Sequence, residues 1–339
     1  MRKLSLRPGP ILALLVSLLC AGSASRSEAQ TYNLGPGDLR FLHTPLDTTV
    51  NIQVRPLGKG IYAAKISYVW TGWVELSDGG ILVVDTGFSE GCGRALADTI
   101  RARSGKKPIR YVVNTNAHED HTGGDRYFGA LGATFIAHET AADEIAKLLA
   151  WVPGESGDTL SRLGIKVPMK RVARKMALGG AARPVQIAWL GKAAHTAGDL
   201  IVRLPKQHVL FAGDLVWSRA VPWLLDPGLN VSGWLATLDT LATPTFTSDS
   251  IVPGHGVMMK ASEEVGFTAR YLNDARDKAS TVAAWGTTLN QVRDWGYLGA
   301  YEGLEFYEEV HFMNMRRLYN EAKGIKTPGR RNVRVLKHS

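Results

Sequence analysis

Asn116-Ala117-His118-Glu119-Asp120-His121-Thr122-Gly123-Gly124 places two imidazoles and two carboxylates at four consecutive positions of one polar loop. Imidazole nitrogen and carboxylate oxygen are the usual ligands of zinc in hydrolytic sites. A loop of this kind can turn His118 toward one ion and Asp120 and His121 toward another. Taken alone, these residues also allow the reading of an ordinary charged loop. The flanking sequence removes that alternative. Upstream, residues 109–113 read as a strand that feeds the loop, and Val83-Val84-Asp85-Thr86-Gly87 ends another. Downstream, His195 opens His195-Thr196-Ala197-Gly198-Asp199 at the mouth of a strand. Asp214 ends the run Val209-Leu210-Phe211-Ala212-Gly213, and His255 lies in Pro253-Gly254-His255-Gly256 just past a further strand. Sites in α/β proteins are assembled from separate loops at strand ends, and these five stretches have that placement.

Along the rest of the chain, residues 61–69, 72–76 and 81–84 read as strands, with Gly79-Gly80 marking a tight turn. Residues 91–104 read as a helix, a further helix lies near Arg126, 134–137 read as a strand and 141–151 as a helix. Residues 153–180, rich in glycine and lysine with weak periodicity, read as a surface excursion flanking the site. Strands resume at 185–190, 199–204, 208–212 and 250–252, with a helix at 231–241 between the last two. Residues 263–279, 289–295 and 306–322 are helical in pattern. Strands alternating with helices, then helices alone, predict an α/β catalytic domain over residues 31–262 and a C-terminal helical extension over 263–322.

In order and content, the five motifs resemble those of the metallo-β-lactamase superfamily, over about residues 50–256. The H-x-H-x-D-H motif is represented by residues 116–121. Asp85 matches the aspartate that braces the metal loop, and His195, Asp214 and His255 match the third, fourth and fifth motifs. The resemblance implies a four-layer αβ/βα sandwich with metals lodged between the edges of two facing sheets. It further implies that one metal takes the position of Asn116 with His118 and His195. The other takes Asp120, His121 and His255, and Asp214 bridges the pair. Asn116 departs from the pattern, because an amide oxygen is a poorer zinc ligand than imidazole. The cofactor expected is zinc, as one or two ions, with the first site weak or filled by a harder metal. His118 stands where flavin-linked di-iron relatives carry Glu, which disfavours that branch.

The chemistry implied is hydrolysis. A bound metal brings the pKa of a water to about 7, supplying hydroxide at neutral pH, and polarises the carbonyl under attack. Asp120 would orient the nucleophile and carry a proton to the leaving group. The substrate expected is a small ester, lactone, thioester or β-lactam. Asp214 stands where recognised β-lactamases carry Cys or Ser and glyoxalase II-like enzymes carry Asp. A general hydrolase, resembling exported zinc hydrolases found beside sulfur-oxidation and quinoprotein systems, is therefore preferred. The alternatives are a true β-lactamase conferring antibiotic resistance, a persulfide dioxygenase-like enzyme with one iron, and a non-catalytic binding module.

The chain has 339 residues, 45% of them hydrophobic, enough for one large domain with an extension. Residues 1–30 have the layout of a secretory signal: Arg2, Lys3 and Arg7, then the apolar run 11–19, then small residues. The mature protein is expected to be periplasmic or secreted, without stable membrane insertion. Cys20 would leave with the signal, and one remaining thiol, Cys92, makes no intramolecular disulfide. The net charge of +9 resides in residues 1–30 and in a basic tail, 323–339, which holds six cations and no acid. The body between them is neutral, so nucleic acid is not expected as a partner; the oligomeric state is left open. His43, His208, His311 and His338 lie outside the motifs and read as structural or solvated. His138 is a candidate for the cleft wall, and Trp217, Trp223 and Trp234 read as core or wall residues.

Overall fold

The computed structural model describes residues 30–33, 49–150 and 169–325. Nearly all of the expected signal and most of the basic tail lie outside the described residues, as do His43, His338 and residues 153–168 of the expected excursion.

The first half of the chain contributes strands β1 (Gln30–Asn33), β2 (Thr49–Gly58), β3 (Ile61–Ile66), β4 (Val69–Glu75), β5 (Ile81–Val84), β6 (Ile109–Val113), β7 (Thr134–His138) and β8 (Met169–Val172). The second contributes β9 (Lys175–Leu178), β10 (Val185–Trp189), β11 (Leu200–Leu204), β12 (Val209–Ser218) and β13 (Ser250–Gly256). They run in the order β8-β7-β6-β5-β4-β13-β12-β11-β10-β9, with β3, β2 and β1 branching from β4. The two halves meet through one pair, His255 on β13 opposite Val69 on β4. Helices α1 (Glu90–Ser104), α2 (Glu119–Thr122), α3 (Asp125–Ala130) and α4 (Glu139–Ala150) belong to the first half. Helices α5 (Val231–Leu241), α6 (Ala261–Ala284), α7 (Val292–Trp295) and α8 (Tyr307–Ala322) belong to the second.

Successive strand side chains point to opposite faces, and that alternation builds the layers. Ile81, Val83, Val112 and Phe135 pack with Leu96 and Ala95 of α1, Phe128 of α3 and Ile145 of α4. Their neighbours Leu82, Val84, Val113 and Ile136 turn the other way, onto Leu200, Val202, Val209 and Phe211 of the second half. Ile201, Leu210 and Ala212 then face Trp234 of α5, Tyr271 and Leu272 of α6 and Met315 of α8. Helix, sheet, sheet, helix is the four-layer αβ/βα sandwich, in which central strands are apolar on both faces.

Several element boundaries differ from the sequence-based expectation. Residues 61–69 form two strands because Ser67, at φ +56, turns the chain between β3 and β4. β12 runs six residues beyond Ala212, and β13 runs through His255 to Gly256. Part of the expected excursion is sheet: β8 pairs parallel with β7, and β9 antiparallel with β10. These are outer strands of the two halves, and their exposed Lys and Arg mask the apolar alternation. Among the described residues, no helix is long and apolar enough to cross a membrane.

The α6 N-terminus carries a titrating group outside the sequence motifs. Burial pushes the Glu264 carboxyl up to about 8, against one hydrogen bond from the Met259 N–H. Its other oxygen has no hydrogen-bond partner among the described residues. The folded state therefore holds a proton that the unfolded chain loses near its ordinary value of 4.5. Stability falls as pH rises from that value to about 8, by up to about 1.4 kcal/mol per pH unit. Glu264→Gln should match the parent in melting temperature at low pH and exceed it at alkaline pH. A gap that does not widen as pH rises would refute this.

Candidate functional site

Seven of the expected residues converge where the two half-sheets meet. His118 caps α2, Asp120 and His121 lie on that single helical turn, and His195 lies in the β10–β11 connection. Asp214 sits within β12, not at its end. The β12–β13 register shifts on both sides of Gly213, whose φ is +52. Such a bulge re-aims the next side chain, and here it turns Asp214 to the centre. Around it, His121 Nε2 lies 3.1 Å from Asp214 Oδ2, His195 Nδ1 3.6 Å and His118 Nδ1 3.9 Å. His255 Nε2 lies 3.2 Å from Asp214 Oδ1 and 3.2 Å from Asp120 Oδ2.

Two sets of three acceptor atoms result: His118, His195 and Asp214, and Asp120, His121 and His255, each within 4.8 Å of one another. Three of the imidazoles have a second nitrogen engaged elsewhere, which fixes ring and tautomer. His121 Nδ1 is 2.9 Å from Asp85 Oδ2, His255 Nδ1 is 3.0 Å from the Tyr68 carbonyl, and His118 Nε2 is 2.9 Å from Asp226 Oδ2. Each acceptor is an oxygen, so those nitrogens carry the hydrogen and the others face the cluster, where they could hold a metal ion. Trp217 stacks on His255 at 4.0 Å.

Asp85 occupies the bracing place, with φ +57. Its carboxylate accepts from the Thr115 N–H at 2.8 Å and the Thr115 hydroxyl at 2.7 Å, at the end of β6. Asn116 is fully buried, and its amide oxygen accepts from the His118 N–H at 2.8 Å while its amide nitrogen donates to Asp214 Oδ2 at 3.1 Å. Only an oxygen can accept from that backbone N–H, so the orientation is fixed. Asn116 serves as a strut between the loop and Asp214.

Burial opposes charge throughout, but opposite charges outweigh it. Asp214 and Asp226 hold His118 up at about 10, and Asp214 and Asp120 hold His255 at about 9. Asp214, Asp85 and Asp120 hold His121 well above its ordinary value. In return, His121 and His255 hold Asp120 down at about 2 and Asp214 well below the carboxylate range. These imidazoles take up protons where a cation would be equally stabilised, and a metal binding there displaces them.

The remaining residues separate from the centre. His138 bonds Thr140 and lies against Trp189, away from the cleft wall. His208 sits in a left-handed turn, and His311 is buried between Tyr271 and the Gly296 carbonyl. Trp217 and Trp223 line the cleft, and Trp234 lies in the core beside His195. Asp226, Tyr68 and Phe306, which the sequence does not single out, all line the 560 Å³ cleft over the triads.

Gly254 makes the close approach of β13 to Asp214 possible: a Cβ there would lie 1.9 Å from Asp214 Oδ1. Gly254→Ala should displace Asp214 and weaken metal binding by about 10–100-fold, the range seen when ligand support is lost. Equilibrium dialysis against zinc measures it, and unchanged affinity would overturn this account.

Comparison with known proteins agrees with the geometry. The family model described as Metallo-beta-lactamase superfamily matches residues 65–255. Metallo-beta-lactamase IND-1 of Chryseobacterium indologenes is 26% identical over 215 residues, 63% of this chain and 82% of its own. 2,4-Dinitroanisole O-demethylase subunit alpha of Nocardioides sp. (strain JS1661) is 24% identical over 178 residues, 52% of this chain. The matched region spans 50% of that subunit's length. Among solved structures, a metallo-beta-lactamase from Pontibacter korlensis has a TM-score of 0.50 at 17% identity, covering 73% of this chain and 99% of its own. The DIM-1 metallo-beta-lactamase has a TM-score of 0.52 at 18% identity, covering 66% and 98%. At these identities the structural matches speak to the fold.

Proposed function

The chain belongs to the metallo-β-lactamase superfamily, and on that footing we propose that it is an exported zinc-dependent hydrolase of a small carbonyl compound. The observation that carries the reading is the convergence of two triads on buried atoms without a hydrogen-bond partner among the described residues. His121 Nε2, both His195 nitrogens and Asp214 Oδ1 are such atoms. Buried polar atoms are seldom left so, and imidazole with carboxylate is the donor set that zinc takes. The residues therefore fit a divalent metal, held by Asp120, His121 and His255 on one side and His118 and His195 on the other, with Asp214 between. When bound, such an ion lowers the pKa of a water to about 7 and polarises a carbonyl oxygen.

The chain's own groups supply the rest. Asp120 is the more accessible of the two central carboxylates, its side chain 22% exposed against 2% for Asp214. It lies on the cleft wall, where it can accept a hydrogen bond from the attacking water and orient it. Asp85, Asp226 and the Tyr68 carbonyl hold three imidazole rings, so little reorganisation accompanies reaction. Asn116 makes the two sides unequal, because its N–H shares Asp214 Oδ2 with the first triad. The side of Asp120, His121 and His255 is the tighter one.

Esters, lactones, thioesters and β-lactams are all within this chemistry. By its name, one relative acts on 2,4-dinitroanisole, an uncharged aromatic compound, and another is a β-lactamase. Metal content measured with turnover of nitrocefin, lactones and thioesters on the same sample tests the proposal. Zinc, with activity lost to chelator and restored by zinc, is expected. Iron with oxygen consumption would replace this reading by the dioxygenase one, and a metal-loaded protein that turns over nothing would replace it by a binding role.

A further inference from the structure

We propose, resting on the hydrolase reading above, that the cleft selects carbonyl compounds with an aromatic or bulky apolar acyl group that is uncharged or cationic. It rejects those whose acyl group bears a carboxylate. The cleft measures 560 Å³, the size of a small-ligand site. Its walls are Tyr68, Phe88, Trp217, Trp223 and Phe306. Tyr68 stacks on Phe88 at 5.5 Å, and Phe306 meets Tyr68 edge-on at 5.9 Å and Trp217 at 6.0 Å. Trp223 is 37% exposed at the mouth. A flat apolar group therefore finds ring faces and edges on several sides, directly above the two triads.

Phe306 is held in this wall against its own backbone preference. Its φ is +68, a left-handed conformation that carries strain for a non-glycine residue. The preceding residue is pinned: the Glu305 carbonyl accepts from the Val221 N–H at 2.8 Å, and its carboxylate pairs with Lys65 at 3.7 Å. That anchoring, at Val221 just past the end of β12, fixes the backbone from which Phe306 lines the cleft.

The charge of the walls points the same way. Beyond the central carboxylates the lining holds Glu119 and Asp226 and, among the described residues, no Lys or Arg. The cations near it are committed elsewhere. Lys65 donates to the Gly256 carbonyl and pairs with Glu305, while Arg317 donates to the Asp226 carbonyl and to Glu321. Asp226 accepts a hydrogen bond from His118 Nε2, and Glu119, exposed in the same lining, is the second wall carboxylate that a substrate meets. A carboxylate on the acyl group would meet Glu119 as a like charge and could be matched only at the metals, where it would compete with the scissile carbonyl. An ammonium group would meet both Glu119 and the aromatic faces favourably.

The test uses three 4-nitrophenyl esters of phenylacetic acid that share a leaving group, with hydrogen, carboxylate or trimethylammonium at the para position. On the zinc-loaded protein, kcat/KM for the carboxylate ester should fall about tenfold or more below the uncharged one, the scale of a like-charge contact. Glu119→Gln should narrow that ratio about threefold or more. Phe306→Ala should raise KM for the uncharged ester about tenfold, from lost burial of an aromatic group. Equal rates for the three esters, or a ratio unmoved by Glu119→Gln, would overturn the proposal. Turnover of no ester by the metal-loaded protein removes the hydrolase reading instead. The charge selection is then read from quenching of tryptophan fluorescence by the three corresponding amides, and tightest binding of the carboxylate form overturns it.

Discussion

Asp120→Ala and His255→Ala each lower kcat/KM on the best hydrolytic substrate by about 10³-fold or more and release the more tightly held metal. The two side chains meet at 3.2 Å and share the triad completed by His121. Removing either leaves two ligands where three converged, so the ion and its activated water are lost together. Metal assistance contributes several kcal/mol to such reactions, and each 1.36 kcal/mol is about tenfold in rate. The two variants should differ in stability. Asp120 is partly exposed on a single helical turn, whereas His255 is buried, stacked on Trp217 and hydrogen-bonded to Tyr68. Asp120→Ala should therefore melt near the parent, and His255→Ala lower by an amount typical of a buried ring lost from a core, about 2–4 kcal/mol. Steady-state kinetics, metal analysis and thermal melts on the same preparations measure all three effects. Near-parental turnover in either variant would show that the ion is held elsewhere.

Asn116→His should raise bound zinc from about one ion per chain toward two, tightening the first site by about 10–100-fold or more. Changes around a ligand alone reach that range, and this substitution adds a ligand. Two properties of Asn116 disfavour the first site. Its amide oxygen is committed to the His118 N–H, and its amide N–H points at Asp214 Oδ2. An N–H donor and a cation compete for the same oxygen. Imidazole at this position would remove that donor and supply a lone pair. Asn116→Ala separates the two contributions, since it removes the donor and adds no ligand. It should tighten the first site less than histidine does. Zinc titration after chelator treatment, with circular dichroism to confirm folding, is the measurement. Two equally tight ions in the parent, unchanged by either substitution, would show that the strut imposes no handicap.

The cluster of candidate ligands was legible in the sequence because its chemistry is local. His118, Asp120 and His121 crowd one loop, and His195, Asp214 and His255 each follow an apolar run that reads as a strand. The unbroken apolar runs at residues 81–84 and 209–212 likewise carried the layered fold, since such strands bury both faces. Boundaries were less legible. β12 continues past Asp214 because a bulge, which leaves the apolar pattern intact, interrupts its pairing with β13.

Other features arise from contacts between segments far apart in the chain. Asp226 orients His118 across 108 residues, with no motif to announce it. Its loop is placed by α8, where Asn314 bonds the Pro222 carbonyl and the Leu224 N–H, and Arg317 bonds the Asp226 carbonyl. Phe306 lines the cleft for a similar reason, next to a backbone pinned to Val221, just past β12. Asn116 reads in sequence as a deficient ligand and acts in the fold as a strut, because its amide finds partners at the next loop turn and on a strand 98 residues away. Residue type states which bonds a side chain can make. Which of them it does make depends on what the packing of the layers brings within about 3 Å.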